Sequence, residues 1–233
     1  MKKIVIAAVI IVISLNAQAQ ISSYLAPGKS GFGIQAVGEQ GPRFQGLGGG
    51  ISASYKGKVD INILATSEVL GKDANDLTTD QAKGKYYEAK VTWWLFRNQI
   101  SPMIDASFGV LAGLDGSSYK DFIYLNQNTG RSVEYKSFLD GMAGFQAALN
   151  LKLSEKWILQ PSYVAYYDFG KQYETEAGTG HATNYTGLIS NICMSLVRRI
   201  GEGNAFVITF NNFSQSSGAG SFYNLTAGYI FSF

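Results

Sequence analysis

The sequence predicts an all-β protein: an antiparallel transmembrane β-barrel of about ten strands, with eight as the other count it allows. Three observations carry that expectation. After residue 19 no apolar run approaches the ~20 residues a membrane helix needs, yet the chain holds 14 Tyr, 14 Phe and 27 Gly against four Pro. Many short segments alternate apolar and polar side chains with a period of two, the mark of a strand whose faces meet different surroundings. The segments between them alternate in length, and an even strand count with short turns on one side and long loops on the other is the habit of membrane barrels.

The N-terminus comes first. Lys2 and Lys3 precede an apolar run from Ile4 to Leu15, and Ala17 and Ala19 bracket an A-x-A cut. A basic start, a short apolar stretch and small residues at the cut describe a secretory signal peptide. The expected division is therefore a signal peptide over 1–19, cleaved after Ala19, and one barrel domain over 20–233. An uncleaved anchor helix is the alternative, and the run is short for it.

Strand by strand, 31–39 places Phe32, Ile34 and Ala36 on one face. Residues 45–56 place Leu47, Ile51, Ala53 and Tyr55 against glycines, Ser52 and Ser54. In 58–68, Val59, Ile61 and Ile63 alternate with Asp60 and Asn62. In 85–96, Tyr87, Ala89, Val91, Trp93 and Leu95 oppose Glu88, Lys90 and Thr92. In 102–112, Ile104, Ala106, Phe108 and Val110 oppose Asp105, Ser107 and Gly109. The sixth, 136–153, sets Leu139, Ala143, Phe145, Ala147, Leu149, Leu151 and Leu153 against Asp140, Gln146, Asn150 and Lys152. The seventh, 157–169, sets Trp157, Leu159, Tyr163, Ala165 and Tyr167 against Gln160, Ser162 and Asp168. The eighth, 184–199, sets Leu188, Ile192, Met194 and Leu196 against Asn191, Cys193 and Ser195. The ninth, 205–213, carries Phe206, Ile208 and Phe210, and the tenth, 222–233, carries Leu225, Ala227, Tyr229, Phe231 and Phe233.

Connections after the second, fourth, sixth and eighth strands read as short turns. Those after the third, fifth and seventh read as loops of roughly 14–23 residues, the long outer loops of such a barrel. Pro161 interrupts the seventh segment; proline lacks the ladder donor, so a bulge or a later strand start is expected there. A soluble secreted barrel of lipocalin type is the competing fold. It would turn the apolar faces inward, and that many aromatic rings would overfill a small lumen.

Charge excludes some functions. Loss of residues 1–19 takes two of the 19 basic residues and none of the 17 acidic ones, leaving 17 against 17. A near-neutral chain gives no case for a nucleic-acid partner. Cys193 stands alone, so neither an internal disulfide nor a cysteine-ligated zinc site is available. No cofactor is expected.

The final run Asn224-Leu-Thr-Ala-Gly-Tyr-Ile-Phe-Ser-Phe233 resembles the C-terminal assembly signal of bacterial outer-membrane proteins: a final aromatic behind alternating apolar positions. With the signal peptide, the whole chain resembles a small outer-membrane β-barrel, and the Ala-Gln-Ala-Gln ending of the signal is similar to that of Bacteroidota. Residues 104–160, through Phe108-Gly-Val-Leu-Ala-Gly113, share a thinner likeness with conjugal-transfer barrels of that group. The resemblance implies outer-membrane lipid and the barrel-insertion machinery as partners, with Tyr229, Phe231 and Phe233 as the signal that the machinery reads. Trp93, Trp157, Tyr167 and Tyr229 would form the aromatic girdle.

The polar faces carry both signs. Asp60, Glu88, Lys90, Asp105, Asp140, Lys152 and Asp168 are expected to form a lumen charge network, with Glu39 and Lys56 on the same faces. They line a solute path, or they pair and stiffen a closed interior; ten strands lie nearer the filled eight-strand size than the open 16–18, which favours pairing.

His181 is the only histidine, on the fourth outer loop as the sequence reads. The ten-stranded surface proteases and the lipid A deacylases share the scaffold, but their histidine has an aspartate or serine two residues away. Here Thr179 and Thr183 flank it, so neither motif is met. Gly28-Lys29-Ser30 has Ser23 where a phosphate loop needs glycine, and Gly46–Gly50 suits the inner face of a tight strand. Tyr119, Phe122, Tyr124 and Tyr135 fall in a segment, 114–135, that reads as a loop able to bind a ligand or to cap the barrel. The expected role is structural, or that of a passive narrow pore, without enzyme activity. A binding or assembly module acting through outer loops is the second reading, and a surface hydrolase centred on His181 the third.

Overall fold

A computed structural model describes residues 29–40, 44–70, 82–126, 131–201, 204–215 and 221–232. Ten antiparallel strands close into a barrel: β1 (Gly31–Gln40), β2 (Phe44–Tyr55), β3 (Val59–Leu70), β4 (Ala82–Ser101), β5 (Ile104–Asn126), β6 (Arg131–Lys152), β7 (Trp157–Glu176), β8 (Thr179–Ile200), β9 (Asn204–Gln215) and β10 (Ser221–Ser232). Each strand pairs with its sequence neighbours, and β1 pairs with β10 to close the ring, Phe32 against Phe231 and Ile34 against Tyr229. The signal segment and Phe233 lie outside the described residues.

The outward faces are apolar and the inward faces polar. Ile61, Ile63, Tyr87, Val91 and Trp93 are exposed, while Asp60, Asn62, Glu88, Lys90 and Thr92 between them are buried. A water-soluble protein hides such residues the other way round; lipid against the wall and a packed interior account for this order. The soluble lipocalin-type alternative is thereby overturned.

Tight turns join strands at one end, called here the turn end. Lys56 and Gly57 both take positive φ, 51° and 62°, the twist a two-residue hairpin needs, and Lys58 N donates to Tyr55 O at 2.9 Å. Between β6 and β7, Ser154 Oγ accepts from the backbone N–H groups of Lys156 and Trp157. On the outer wall four rings, Phe96, Phe108, Phe145 and Tyr163, follow one another at 6.0–6.2 Å across β4–β7. Trp157 and Tyr229 lie toward the turn end, as a girdle would; Trp93 and Tyr167 lie at mid-strand.

Strand lengths fall into two groups. β1, β2, β3, β9 and β10 have 10 or 12 residues, the ~9–11 of a single tilted crossing. β4–β8 have 20–23, so that side of the wall rises well beyond a bilayer. This corrects two expected loops. Residues 114–126 and 131–135 continue β5 and β6 rather than forming a loop, and 170–183 forms a tight hairpin on Ala177 and Gly178. Above the lipid both faces meet water, so the alternation that signals a strand disappears while backbone pairing continues.

Pro161 is a further correction. β7 starts at Trp157 and keeps one register with β6 on either side of the proline, Leu151 against Leu159 and Ala148 against Ser162. There is no bulge. Pro161 pairs with Met194 on the β8 side, and the missing N–H falls on the β6 side, where Leu149 and Asn150 drop out of the ladder. The wall is irregular instead at β4, where Leu95 is an extra residue between Trp94 and Phe96.

Candidate lumen site

Side chains fill the lumen in levels. At the turn end Ile158, Val197, Ala205, Val207 and Ile230 form an apolar cluster from β7–β10. From β2–β4, Asp60 accepts from Ser54 Oγ at 3.0 Å and from the Trp94 indole N–H. Arg97 stacks over the Trp94 ring and donates to Gly57 O at 2.7 Å. Further up, Leu111, Met142, Val164, Tyr166 and Cys193 pack together. Gln160 Nε2 donates to Asn150 Oδ1 at 2.6 Å, and the Ser195 and Thr209 hydroxyls lie 2.7 Å apart.

The densest charge is higher still. In the ladder Glu88 stands opposite Asp115, and Asp115 opposite Asp140. Three carboxyl groups on one inward face thus occupy adjacent strands, an arrangement that repels itself when all are charged. Asp168 follows on β7. Lys90 Nζ lies 3.3 Å from Glu88 Oε1, with both side chains almost wholly buried. Tyr86 Oη donates toward Glu88 Oε2 at 3.4 Å and Asp115 Oδ2 at 3.2 Å. The Asp140 carboxylate lies over Gly170, where a Cβ would meet its Oδ1 at 2.1 Å. One oxygen each of Asp115, Asp140 and Asp168 has no hydrogen-bond partner among the described residues. Among the described residues of this level four acids outnumber one lysine, which favours a proton or small cation there over an anion. Among the described residues no three His, Cys, Asp or Glu side chains converge as metal ligands.

The residues read from the sequence therefore separate into three groups. Glu88, Lys90, Asp140 and Asp168 lie in the upper cluster, Asp60 in the lower one. Asp105 and Lys152 form their own pair at 3.0 Å, about a quarter exposed, near the turn end. Asp105 is thus Lys152's partner, not a member of the Lys90 group. Lys56 is exposed on the β2–β3 turn. Sequence reasoning missed Asp115, hidden in a supposed loop, Trp94, which continues the inward parity of Glu88, Lys90 and Thr92, and Arg97, whose inward direction depends on the Leu95 bulge. Glu68 was readable, because it continues the inward parity of Asp60 and Asn62. Tyr119 Oη donates to it at 3.0 Å, and the ring lies against Gly84, where a Cβ would come within 2.5 Å. Tyr119, Phe122 and Tyr135 pack ring to ring at 5.3–6.0 Å, the self-packing expected of a cap.

His181 is exposed on β8 opposite Glu174. Asp168, an expected acid upstream of it, pairs with Gly187, six residues or about 20 Å further down the strand.

These features define a closed, side-chain-filled, ten-stranded membrane barrel. No protein-family model and no curated protein matches the chain. Among solved structures it is similar to the translocator domain of the autotransporter NalP from Neisseria meningitidis, at 10% identity over 88% of this chain and 89% of that one, with a TM-score of 0.50. It is also similar to the outer membrane protease OmpT from Escherichia coli (11% identity, 88% and 94% covered, TM-score 0.42). A third is Ail, the attachment invasion locus protein of Yersinia pestis (12% identity, 88% and 100% covered, TM-score 0.30). The likeness is one of fold alone.

Proposed function

We propose that this chain is an integral outer-membrane barrel, exported with its signal peptide cleaved after Ala19, whose closed lumen gives it a structural role without enzyme activity. One observation carries the reading: the lumen is packed. Lys90, Gln146, Gln160, Met142, Ile158, Val164, Val207 and Ile230 are each no more than 2% exposed, and a water-filled channel would leave its lining accessible. Outer-membrane lipid is the partner of the apolar wall, and the barrel-insertion machinery that of the closing strand bearing Tyr229 and Phe231, with Phe233 after it.

Planar bilayers test the lumen. Purified protein is expected to insert and show no steady single-channel current; regular conductance steps would replace the structural reading with the narrow-pore one. Orientation is tested in cells. A tag at Gly178 is expected to be labelled on intact bacteria, and tags at Gly57 or Glu155 are not; equal labelling would reject the orientation.

A second reading has its own observation. The β7–β8 hairpin projects at the tall end, and among the described residues the only strand paired with Thr179–Gly187 is β7, which makes that stretch a sheet edge. Binding through the outer hairpins uses that edge. The hydrolase reading has an exposed His181 and a Glu174 opposite it, and substrate turnover lost in His181→Ala would revive it.

A further inference from the structure

We infer that the outward face of β4 and β5 at the tall end carries a binding site for a phosphate-bearing lipid of the outer leaflet. The inference rests on the membrane reading above and adds a ligand to it. Lys83 of β4 stands directly opposite Lys120 of β5, and Lys85 follows two residues along the same face. Side chains so placed have Cβ atoms about 5 Å apart when directly opposed and roughly 7–8 Å on the diagonal. All three lysines are exposed. Three like charges packed this way destabilise a sheet unless something neutralises them.

Among the described residues of β4 and β5 no acid on this face supplies that neutraliser. The outward residues of β4 from Lys83 to Leu95, and of β5 from Ile104 to Lys120, include no carboxylate; Glu88, Asp105 and Asp115 all lie on the inward side. No ion pair joins Lys83, Lys85 or Lys120 to an acid among the described residues. Lys171 adds a fourth outward cation on β7, opposite Leu139.

What lies beneath the lysines selects the ligand. Tyr87, 49% exposed, follows Lys85 on the same face, and Leu114, 60% exposed, continues it on β5. The face therefore changes within one or two outward positions from apolar wall to clustered ammonium groups. A molecule that satisfies both has acyl chains against Tyr87 and Leu114 and phosphates at the height of the lysines. Lysine stems lie along apolar surface and lift their charge to the headgroup level. Each basic side chain near an anionic surface contributes a binding gain that corresponds to about fivefold in affinity.

The test uses the whole mature barrel in phosphatidylcholine vesicles, with and without a minor share of bisphosphorylated lipid A. Retained lipid is measured by native mass spectrometry after extraction. Wild type is expected to keep lipid A, with roughly a hundredfold weaker retention in Lys83→Gln/Lys85→Gln/Lys120→Gln. The equally neutralised control Lys56→Gln/Lys58→Gln/Lys156→Gln, at the turn end, is expected to match wild type. Raised salt is expected to weaken wild-type retention, as for exposed charges. Equal retention by the triple variant and wild type overturns the site. Equal binding of soluble pyrophosphate without lipid overturns the lipid as its ligand. If the chain inserts into phosphatidylcholine and none of these differences appears, this inference alone fails; if it does not insert at all, the membrane reading fails with it.

Discussion

The barrel wall has a short half and a tall half. From β9 through β10, β1 and β2 to β3, every strand has 10 or 12 residues, and outward apolar positions run almost their full length. From β4 to β8 every strand has 20–23, and the same alternation holds only for the lower part. Above Leu139 and Phe169 the outward positions include Lys171, Tyr173 and Thr175, and the inward ones Gln172, Glu174 and Glu176. The period-two pattern thus reports two different surroundings rather than the strand itself. Where water lies on both sides, backbone pairing keeps the strand and the pattern goes.

The halves also contribute differently to the interior. The short half sends in the small Ser52, Ser54, Thr66, Thr209 and Thr226, and Gly48 and Gly50, which have no side chain, beside the larger Asp60, Leu64, Glu68 and Ile230. The tall half sends in Lys90, Trp94, Met142, Gln146 and Tyr166, with most of the carboxylates. The filling belongs mainly to the tall half, and the short half makes room for it.

The largest expected effect follows from that division. Lys90→Met removes the ammonium that lies 3.3 Å from Glu88, and breaking a buried pair costs about 3–5 kcal/mol. Urea unfolding in detergent micelles is expected to show that loss. Asn62→Leu in the short half removes a side chain whose polar atoms have no hydrogen-bond partner among the described residues. It is expected to shift stability by no more than about 1 kcal/mol in either direction. Comparable losses from the two changes would break the contrast.

A smaller effect is expected at Gly144, on the tall half. A Cβ there would meet Ala165 O at 2.1 Å and Tyr166 Cα at 2.5 Å, so β6 and β7 must separate. Gly144→Ala is expected to cost about 1–3 kcal/mol, as overpacking does, in the same unfolding assay. No loss would mean that the wall of the tall half yields more easily than the ladder implies.

The sequence made the short half legible nearly to the residue, because each of its strands stays between lipid and lumen. It also located Asp60, Glu88, Lys90, Asp140 and Asp168 on inward faces. It did not reveal that Asp115 completes a row with Glu88 and Asp140, since Asp115 lies just past the last clear alternation of β5. Nor did it reveal Arg97 near Asp60, because the extra residue Leu95 shifts the parity that sequence reading depends on; Trp94 keeps the parity of Lys90 and Thr92 and was legible. The apolar levels of the lumen were hidden too: Val164, Val197 and Val207 face inward where parity alone suggests polar residues.

The smallest effect concerns the projecting hairpin. Ala177 takes φ 50°, a left-handed conformation that costs a residue with a Cβ roughly 1–2 kcal/mol. Ala177→Gly is expected to slow amide exchange at residues 174–181 by relieving that cost locally. Global unfolding is expected not to move, since the hairpin stands above the membrane wall. A shift in global unfolding would tie the hairpin to the barrel more closely than the two-halves description allows.

The most direct test of the filled lumen uses Cys193, the only cysteine, which is 4% exposed and points inward against Leu111, Met142, Val164 and Tyr166. The folded mature barrel in vesicles is treated with a small water-soluble, membrane-impermeant thiol reagent added on both sides, and mass spectrometry follows the adduct. The thiol is expected to stay unmodified until the protein is unfolded in urea and then to react fully. Rapid modification of the folded barrel would show that water and solutes reach the lumen, and would contradict the account.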